Sequence, residues 1–356
     1  MDIEYRKFKW KDAISSLGVP LLAIAFAMLI GAILMLVMGM PVGTAYSALI
    51  KGSLGSGSAL AETIVKSTPL IFTALSYALA KRCGMVNLGA EGQLYMGGLF
   101  AALVGLYVQL PMPLHILLCT IAGFIGGGLW GMLASALKIR FGASEMITTI
   151  MLNYIANFFI NYMVINVITE PGDLPQSAKM YETAQLPHIA GSRVHIGFFI
   201  ALLCIVIYYL FLWKTKSGFE TRVVGLNAEA ARYAGFSGNK RSLMAMFMAG
   251  GFAGLAGMVE ILGIQIRVYP NFSPGYGFDG IAAALLGRNS PIGIFLSSFL
   301  FGILRAGSAK MELYANTPLA LIYVIQAFVI MFVVGSVYFE KVHKKNEIKR
   351  RAKEDQ

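Results

Sequence analysis

Three asparagines recur at steps of four, Asn153, Asn157 and Asn161, inside an otherwise apolar stretch. On a helix this spacing sets their amides on one stripe, about 6 Å apart per step. Each amide offers donors and an acceptor without charge, which suits a neutral polar ligand such as a nucleobase or a ribose. The same stripe could serve only to bond neighbouring helices, and the residue types leave both readings open. A second polar group, Asn87, Glu91 and Gln93, stands at the opening of another apolar run, and Phe278 with Asp279 opens a third. For both groups, ligand contact and the capping of a helix start are the alternatives. Tyr276 and Phe278 have rings that could stack on a base or sit in an interfacial aromatic belt.

What is missing narrows the chemistry. No G-x-x-x-x-G-K-[ST] occurs, because Gly238-Asn239-Lys240 lacks the upstream glycine and the Gly52–Gly57 loop lacks the lysine. The chain therefore carries no phosphate-cradling loop. There is no H-E-x-x-H and no nucleophile elbow, and the four histidines are scattered. Cys83, Cys119 and Cys204 have no metal-ligand spacing. No catalytic residue, metal site or cofactor bound by this chain is expected. Energy for any work must come from a partner or from an ion gradient.

The elements that position these groups are helices in a bilayer. The chain has 356 residues, of which 57% are hydrophobic and 13% charged, against about 25% charged in soluble domains. Apolar runs lie near 17–39, 59–80, 88–108, 113–136, 146–168, 195–213, 243–264, 275–287, 292–306 and 318–339. Most approach the ~20 residues that span the hydrocarbon. The expectation is an all-α integral membrane protein with about ten transmembrane helices. The eighth and ninth runs are short and flank Pro291, so one of them reads as broken or re-entrant. The first run is too long for a signal-peptide core and lacks an A-x-A-like site, so it reads as a retained helix. Residues 1–16 read as a cytoplasmic N-terminal segment, 17–340 as the transmembrane domain and 341–356 as a basic cytoplasmic tail.

Charge gives the orientation. Twenty-two of the 29 lysines and arginines fall at the N-terminus, in alternate loops and in the tail. The other seven (Lys51, Lys66, Lys179, Arg193, Arg267, Arg305 and Lys310) lie on the opposite side. This split puts both termini in the cytoplasm. The net charge of +11 is then a topology signal with an affinity for anionic lipid, and no nucleic-acid partner is expected. Gly123, Gly127 and Gly131, and likewise Gly250 and Gly254, mark faces for close helix packing. Glu62 and Lys66 are spaced as an ion pair, while Glu260 has no obvious partner.

Two loops are long. Residues 169–194 form a polar external segment with three prolines, and residues 214–242 form the longest cytoplasmic loop. Within the second, Asn227 is placed to cap a short helix from Ala228 to about Ala234, ended by Gly235.

That loop reads VGLNAEAARYAGF at 224–236. It resembles the "vGxNxxAARyaGi" segment of permeases in ATP-binding cassette importers for simple sugars, nucleosides and branched-chain amino acids. GMVNLGAEGQLYMGG at 84–98 is similar to the "G.vNiG.EGQ" opening of the third helix in the simple-sugar and nucleoside permeases. YGFDGIAAALLGRNSPIG at 276–293 looks like that family's "GxGfdgIAvALLGxxxPxG". The three matches fall in order and cover residues from about 60 to 340; the nucleoside branch with a lipoprotein receptor fits closest.

The resemblance implies a ten-helix type II importer fold with two related halves, in a bacterial plasma membrane. It also implies a transport subunit rather than an enzyme. The partners would be a cytoplasmic ATPase that uses ATP and Mg, a second and different permease chain, and an external substrate-binding lipoprotein. Gly225, Asn227, Glu229, Ala230, Ala231, Arg232 and Gly235 would form the coupling helix seated on the ATPase. Asn87, Glu91, Gln93, Asn153, Asn157, Asn161, Phe278 and Asp279 would be candidates for the substrate pathway. A simple-sugar permease is the alternative within the class. The rival outside it is an ion-driven secondary transporter using Glu91 or Asp279, for which the 225–236 segment has no task.

Overall fold

The computed structural model describes residues 10–318, apart from Asp173 and Ala190, together with 321, 323–332 and 335. The basic tail, most of the N-terminal segment and the last part of the final apolar run lie outside the described residues. The chain forms α1 (Trp10–Val37), α2 (Val42–Leu54), α3 (Gly57–Arg82), α4 (Ala90–Tyr107), α5 (Met112–Phe141), α6 (Glu145–Tyr162) and α7 (Gly197–Lys214). It continues as α8 (Lys216–Leu226), α9 (Ala228–Tyr233), α10 (Gly238–Glu260), α11 (Tyr276–Leu286), α12 (Pro291–Ala315) and α13 (Tyr323–Phe332). Single turns of wider π-helix extend α6 (Met163–Val167) and α10 (Ile261–Gln265). Among the described residues no strand forms beyond isolated bridges, such as Thr169 with Ser177.

Among the described residues, six helices are long and apolar enough to cross a bilayer: α3, α5, α6 with its π turn, α7, α10 with its π turn, and α12. Several sequence expectations shift. α2 occupies a stretch expected to be a loop. α4 begins at Ala90 rather than 88, and α12 runs to Ala315 rather than 306, continuing past the apolar run with Lys310 and Glu312 exposed. α11 is the short element. Its 11 residues reach about 16 Å, half the ~30 Å hydrocarbon thickness.

The described chain divides into two compact units, one of residues Ser53–Ala306 and the other of the flanking segments up to Gly52 and from Gly307. In the flanking unit, the Tyr46 hydroxyl donates to the Met28 carbonyl, and Gly307 packs against Leu49. In the larger unit α3 and α10 are buried nearly all round, while α5, α6 and α7 keep one exposed face. On α5 that face is Leu117, Ile121, Ile125, Leu129 and Leu133, all exposed, whereas Gly123, Gly127 and Gly131 are buried. Apolar residues outside and small residues inside is the pattern of a helix bathed in lipid. The glycine faces do meet. A Cβ on Gly127 would stand 2.4 Å from the Gly250 carbonyl oxygen and one on Gly254 2.2 Å from that of Gly123. Any side chain there would force α5 and α10 apart.

Candidate functional site

The polar residues singled out in the sequence gather where α4 starts. Between Arg82 and Ala90 the chain leaves the helix at a buried place, and its backbone groups must find partners there. Asn153 supplies two: its Oδ1 accepts from the Gly92 N–H at 2.8 Å and its Nδ2 donates to the Leu88 carbonyl at 2.9 Å. The Thr149 hydroxyl oxygen accepts from the Leu88 N–H at 3.3 Å. Asn87 and Gln93 face each other as reciprocal amides, each Nδ2 or Nε2 donating to the other's oxygen at 2.9 Å. The Asn87 amide also donates to the Ser76 hydroxyl at 3.0 Å.

Glu91 reaches across to α11, where its Oε2 accepts from the Gly277 N–H at 2.6 Å. The two helix starts abut, since a Cβ on Gly277 would lie 2.3 Å from the Glu91 backbone nitrogen. Both helices turn their positive ends toward this spot, and the Glu91 carboxylate fills it. Asp279, in the first turn of α11, pairs with Arg305 of α12, whose Nε lies 2.8 Å from its Oδ2. The same guanidinium donates to the Pro274 carbonyl at 3.0 Å and stacks over the Tyr276 ring, 4.7 Å from its centroid. The Thr73 hydroxyl donates to the Tyr276 carbonyl at 3.0 Å. Phe278, in the same turn, stands half exposed.

Along the asparagine stripe the three amides have different partners. Asn161 accepts from the Asn271 N–H at 3.1 Å and holds a turn in which Asn271 has positive φ. Asn153 braces the start of α4. Asn157, between them, has a buried Oδ1 with no hydrogen-bond partner among the described residues.

The 214–242 segment forms α8 and α9. Asn227 caps α9 as its sequence position predicts, its Oδ1 accepting from the N–H groups of Glu229 and Ala230 at 3.0 Å, and Gly235 follows with φ of 81°. Ala231 is fully buried on Cys83, Val224 and Ala245, and burial pushes the Cys83 thiol up to about 11. Gly225 rests on the end of α3, where a Cβ would meet the Arg82 carbonyl oxygen at 2.2 Å. Glu220 and Arg241 form a buried ion pair that ties α8 to the first turn of α10. The outward face of α9 carries Glu229, Ala230 and Arg232, with Leu226 and Tyr233 almost fully exposed beside them.

The structure thus brings Asn87, Glu91, Gln93 and Asn153 into one cluster with the start of α11. The coupling candidates stand elsewhere on the surface, joined to the cluster through the end of α3. Sequence reasoning missed Arg305 as the partner of Asp279, 26 residues away. It also missed Leu226 and Tyr233, whose signal was available as large apolar residues flanking a polar capped helix.

Residues 59–334 match the family model described as "Branched-chain amino acid transport system / permease component". The chain is 40% identical over 330 residues to the guanosine ABC transporter permease protein NupP of Bacillus subtilis, covering 91% of this chain and 94% of that one. It is 37% identical to the nucleoside ABC transporter permease protein NupB of Lactococcus lactis, over 90% of this chain and 92% of that one. Its identity to the glucose ABC transporter permease protein TsgB13 of Haloferax volcanii is 34%, over 91% and 88%. No solved structure matches.

Proposed function

The chain belongs to the branched-chain amino acid transport system permease family, and from that premise we infer that it is the membrane-spanning subunit of an ATP-binding cassette importer for nucleosides. It is a multi-pass membrane transport subunit and not an enzyme. The observation that carries the substrate class is the filled anion position at the joined starts of α4 and α11. Broken helices in transporters commonly turn their N-termini toward an anionic group of the substrate. Here Glu91 of the chain itself takes that place, so a passing carboxylate or phosphate would meet a like charge. The surrounding groups are the amides and hydroxyl of Asn87, Gln93, Asn153 and Ser76, which favour a neutral hydrogen-bonding molecule over an amino acid or a nucleotide. The similarity to guanosine and nucleoside permeases supports the same choice.

In this reading the chain makes ten crossings with both termini cytoplasmic and two related halves, Glu91 and Asp279 standing at comparable helix starts. α9 sits in a cleft of a partner ATPase that binds ATP and Mg. A second, different permease chain completes the pathway, and an external lipoprotein delivers the substrate. Movement of the ATPase would pass through Ala231 and Gly225 into the ends of α3 and α10. Uptake of radiolabelled guanosine tests the reading: it should stop on ATP depletion and survive an uncoupler, with glucose failing to compete. Uptake abolished by the uncoupler at normal ATP would assign the chain to ion-driven transport instead.

A further inference from the structure

A second polar group lies where α10 gives way to its π turn, and the pathway residues above do not use it. Glu260 ends α10, is buried, and keeps one oxygen, Oε2, without a hydrogen-bond partner among the described residues. Its other oxygen accepts from the Gln265 amide at 3.1 Å. That amide also donates to the Phe272 carbonyl at 3.0 Å, and the Gln265 Oε1 has no hydrogen-bond partner among the described residues. The Tyr276 hydroxyl is also fully buried and has no hydrogen-bond partner among the described residues. The backbone here is distorted. One π turn separates Glu260 from Gln265, and Ile266 follows with φ of 61°, which a β-branched residue adopts only at a cost. Three unpartnered polar atoms beside a strained turn would burden a fold that had no use for them.

We propose that Glu260, Gln265 and Tyr276 form a binding site for a neutral ligand with two adjacent hydrogen-bond donors, either the cis-diol of a ribose or the N–H and amino edge of a guanine. The geometry fits that chemistry. One carboxylate oxygen and one amide oxygen, on side chains bonded to each other, are left to accept from a ligand, and the buried Tyr276 hydroxyl, with no partner among the described residues, can donate or accept. Arg305 lies over the Tyr276 ring and pairs with Asp279, and Lys66 pairs with Glu62. Both of these cations are therefore engaged with other acids, and the Glu260 Oε2 has no partner among the described residues. The polar 169–194 segment is fastened to this turn, Leu186 N–H donating to the Leu262 carbonyl and Met180 N–H to that of Ile266. The site stands under the segment that faces an external delivery protein in the importer reading, on which this proposal rests.

The test measures uptake into cells expressing the complete importer carrying Tyr276→Phe, Glu260→Gln or Gln265→Met, with the melting temperature of each purified complex. Guanosine uptake below saturation, per folded complex, should fall roughly tenfold in each variant, at unchanged melting temperature for Tyr276→Phe and Glu260→Gln and at a lowered one for Gln265→Met, which also strands the Phe272 carbonyl. 2′-Deoxyguanosine and inosine separate the two sources of the donor pair. If the diol is read, the variants lose nothing further on the deoxynucleoside; if the base edge is read, they lose nothing further on inosine. Wild-type uptake in all three variants, with the melting temperature raised by loss of the unpartnered atoms, would overturn the site. Should the wild-type importer carry ribose or glucose and no nucleoside, the substrate reading fails alone. The site is then judged on the variant-to-wild-type ratio for that sugar, with a ratio near one overturning it.

Discussion

Glu91 and Gly277 are 186 residues apart, yet the carboxylate of one caps the backbone of the other at 2.6 Å. The contact joins the starts of two buried helices, each of which would otherwise leave N–H groups unmet in an apolar surrounding. It also sets how closely they approach, because Gly277 has no side chain to hold them apart.

Replacing Glu91 with Leu strands the Gly277 N–H and should cost about 2 kcal/mol of stability. Glu91→Gln keeps an acceptor oxygen and should cost less. Gly277→Ala has no room for its methyl group and should keep the complex from accumulating. Melting temperature and membrane yield of the three variants check the order, and a Gly277→Ala complex as stable as wild type would contradict the close approach.

The surface of α9 makes a prediction about coupling. Leu226 and Tyr233 are 88% and 94% exposed, so truncating both to Ala should leave the fold intact. If the ATPase seats here, its affinity should drop by about tenfold or more, as expected for apolar anchors at an interface. Arg232→Glu and Glu229→Lys should separate ATP hydrolysis from transport with assembly retained. Co-purification and transport per ATP hydrolysed are the measurements. Ala231→Leu should act differently, unseating the helix from Cys83 and Ala245 and lowering stability.

The features legible in the sequence were those encoded by neighbours in the chain. The Asn227 cap, the glycine faces of α5 and α10, and the Glu62–Lys66 pair all rest on spacings of three or four residues. Arg193, which shares Glu62 from 131 residues away, was invisible to that logic. So were the braces that Asn153 gives to Leu88 and Gly92, because hydropathy reports where a helix is apolar and not where buried backbone needs a partner. α2 went unseen for the opposite reason: its Gly43, Thr44, Ser47 and Lys51 dilute the apolar signal of a helix too short to cross.

Topology can be read with single cysteines. Cys83, Cys119 and Cys204 are buried and free, and can be removed first. Ser177 is a poor place for a label, since it is fully buried and its hydroxyl oxygen accepts from the Val268 N–H. Lys179 and Asn239 are exposed. An impermeant maleimide should label Lys179→Cys in intact cells and Asn239→Cys only after lysis. The reverse pattern would invert the orientation.

His195 predicts a response to acid. Burial, followed by the neighbouring His188, pushes its imidazole down from 6.5 to about 4, and neither ring nitrogen has a hydrogen-bond partner among the described residues. The folded state holds this ring neutral, while the unfolded chain takes up a proton below pH 6.5. The contribution is therefore intact above pH 6.5 and is lost as pH falls toward 4, by up to about 3 kcal/mol. His195→Phe should flatten that part of the pH dependence of the melting temperature. An unchanged slope between pH 6.5 and 4 would show that another group carries it.

Asn157 carries the most specific claim about the pathway. Its neighbours on the stripe are committed, Asn153 to the start of α4 and Asn161 to Asn271, but the Asn157 oxygen is buried with no partner among the described residues. An amide kept only to join helices would be expected to find one, since leaving it unmet costs stability. A substrate passing in steps needs contacts weak enough to release, and one uncharged amide meets that need better than a carboxylate. Asn157→Leu should therefore lower the transport rate by about tenfold while assembly and basal ATP hydrolysis persist. Its melting temperature should hold or rise, because the variant removes an unmet polar atom. Asn153→Leu is the contrast: it strands Leu88 and Gly92, so its melting temperature should fall and its transport should decline in step with folded protein. Both quantities measured on one preparation separate the two roles, and a fall in the stability of Asn157→Leu with transport per folded complex unchanged would assign Asn157 to packing.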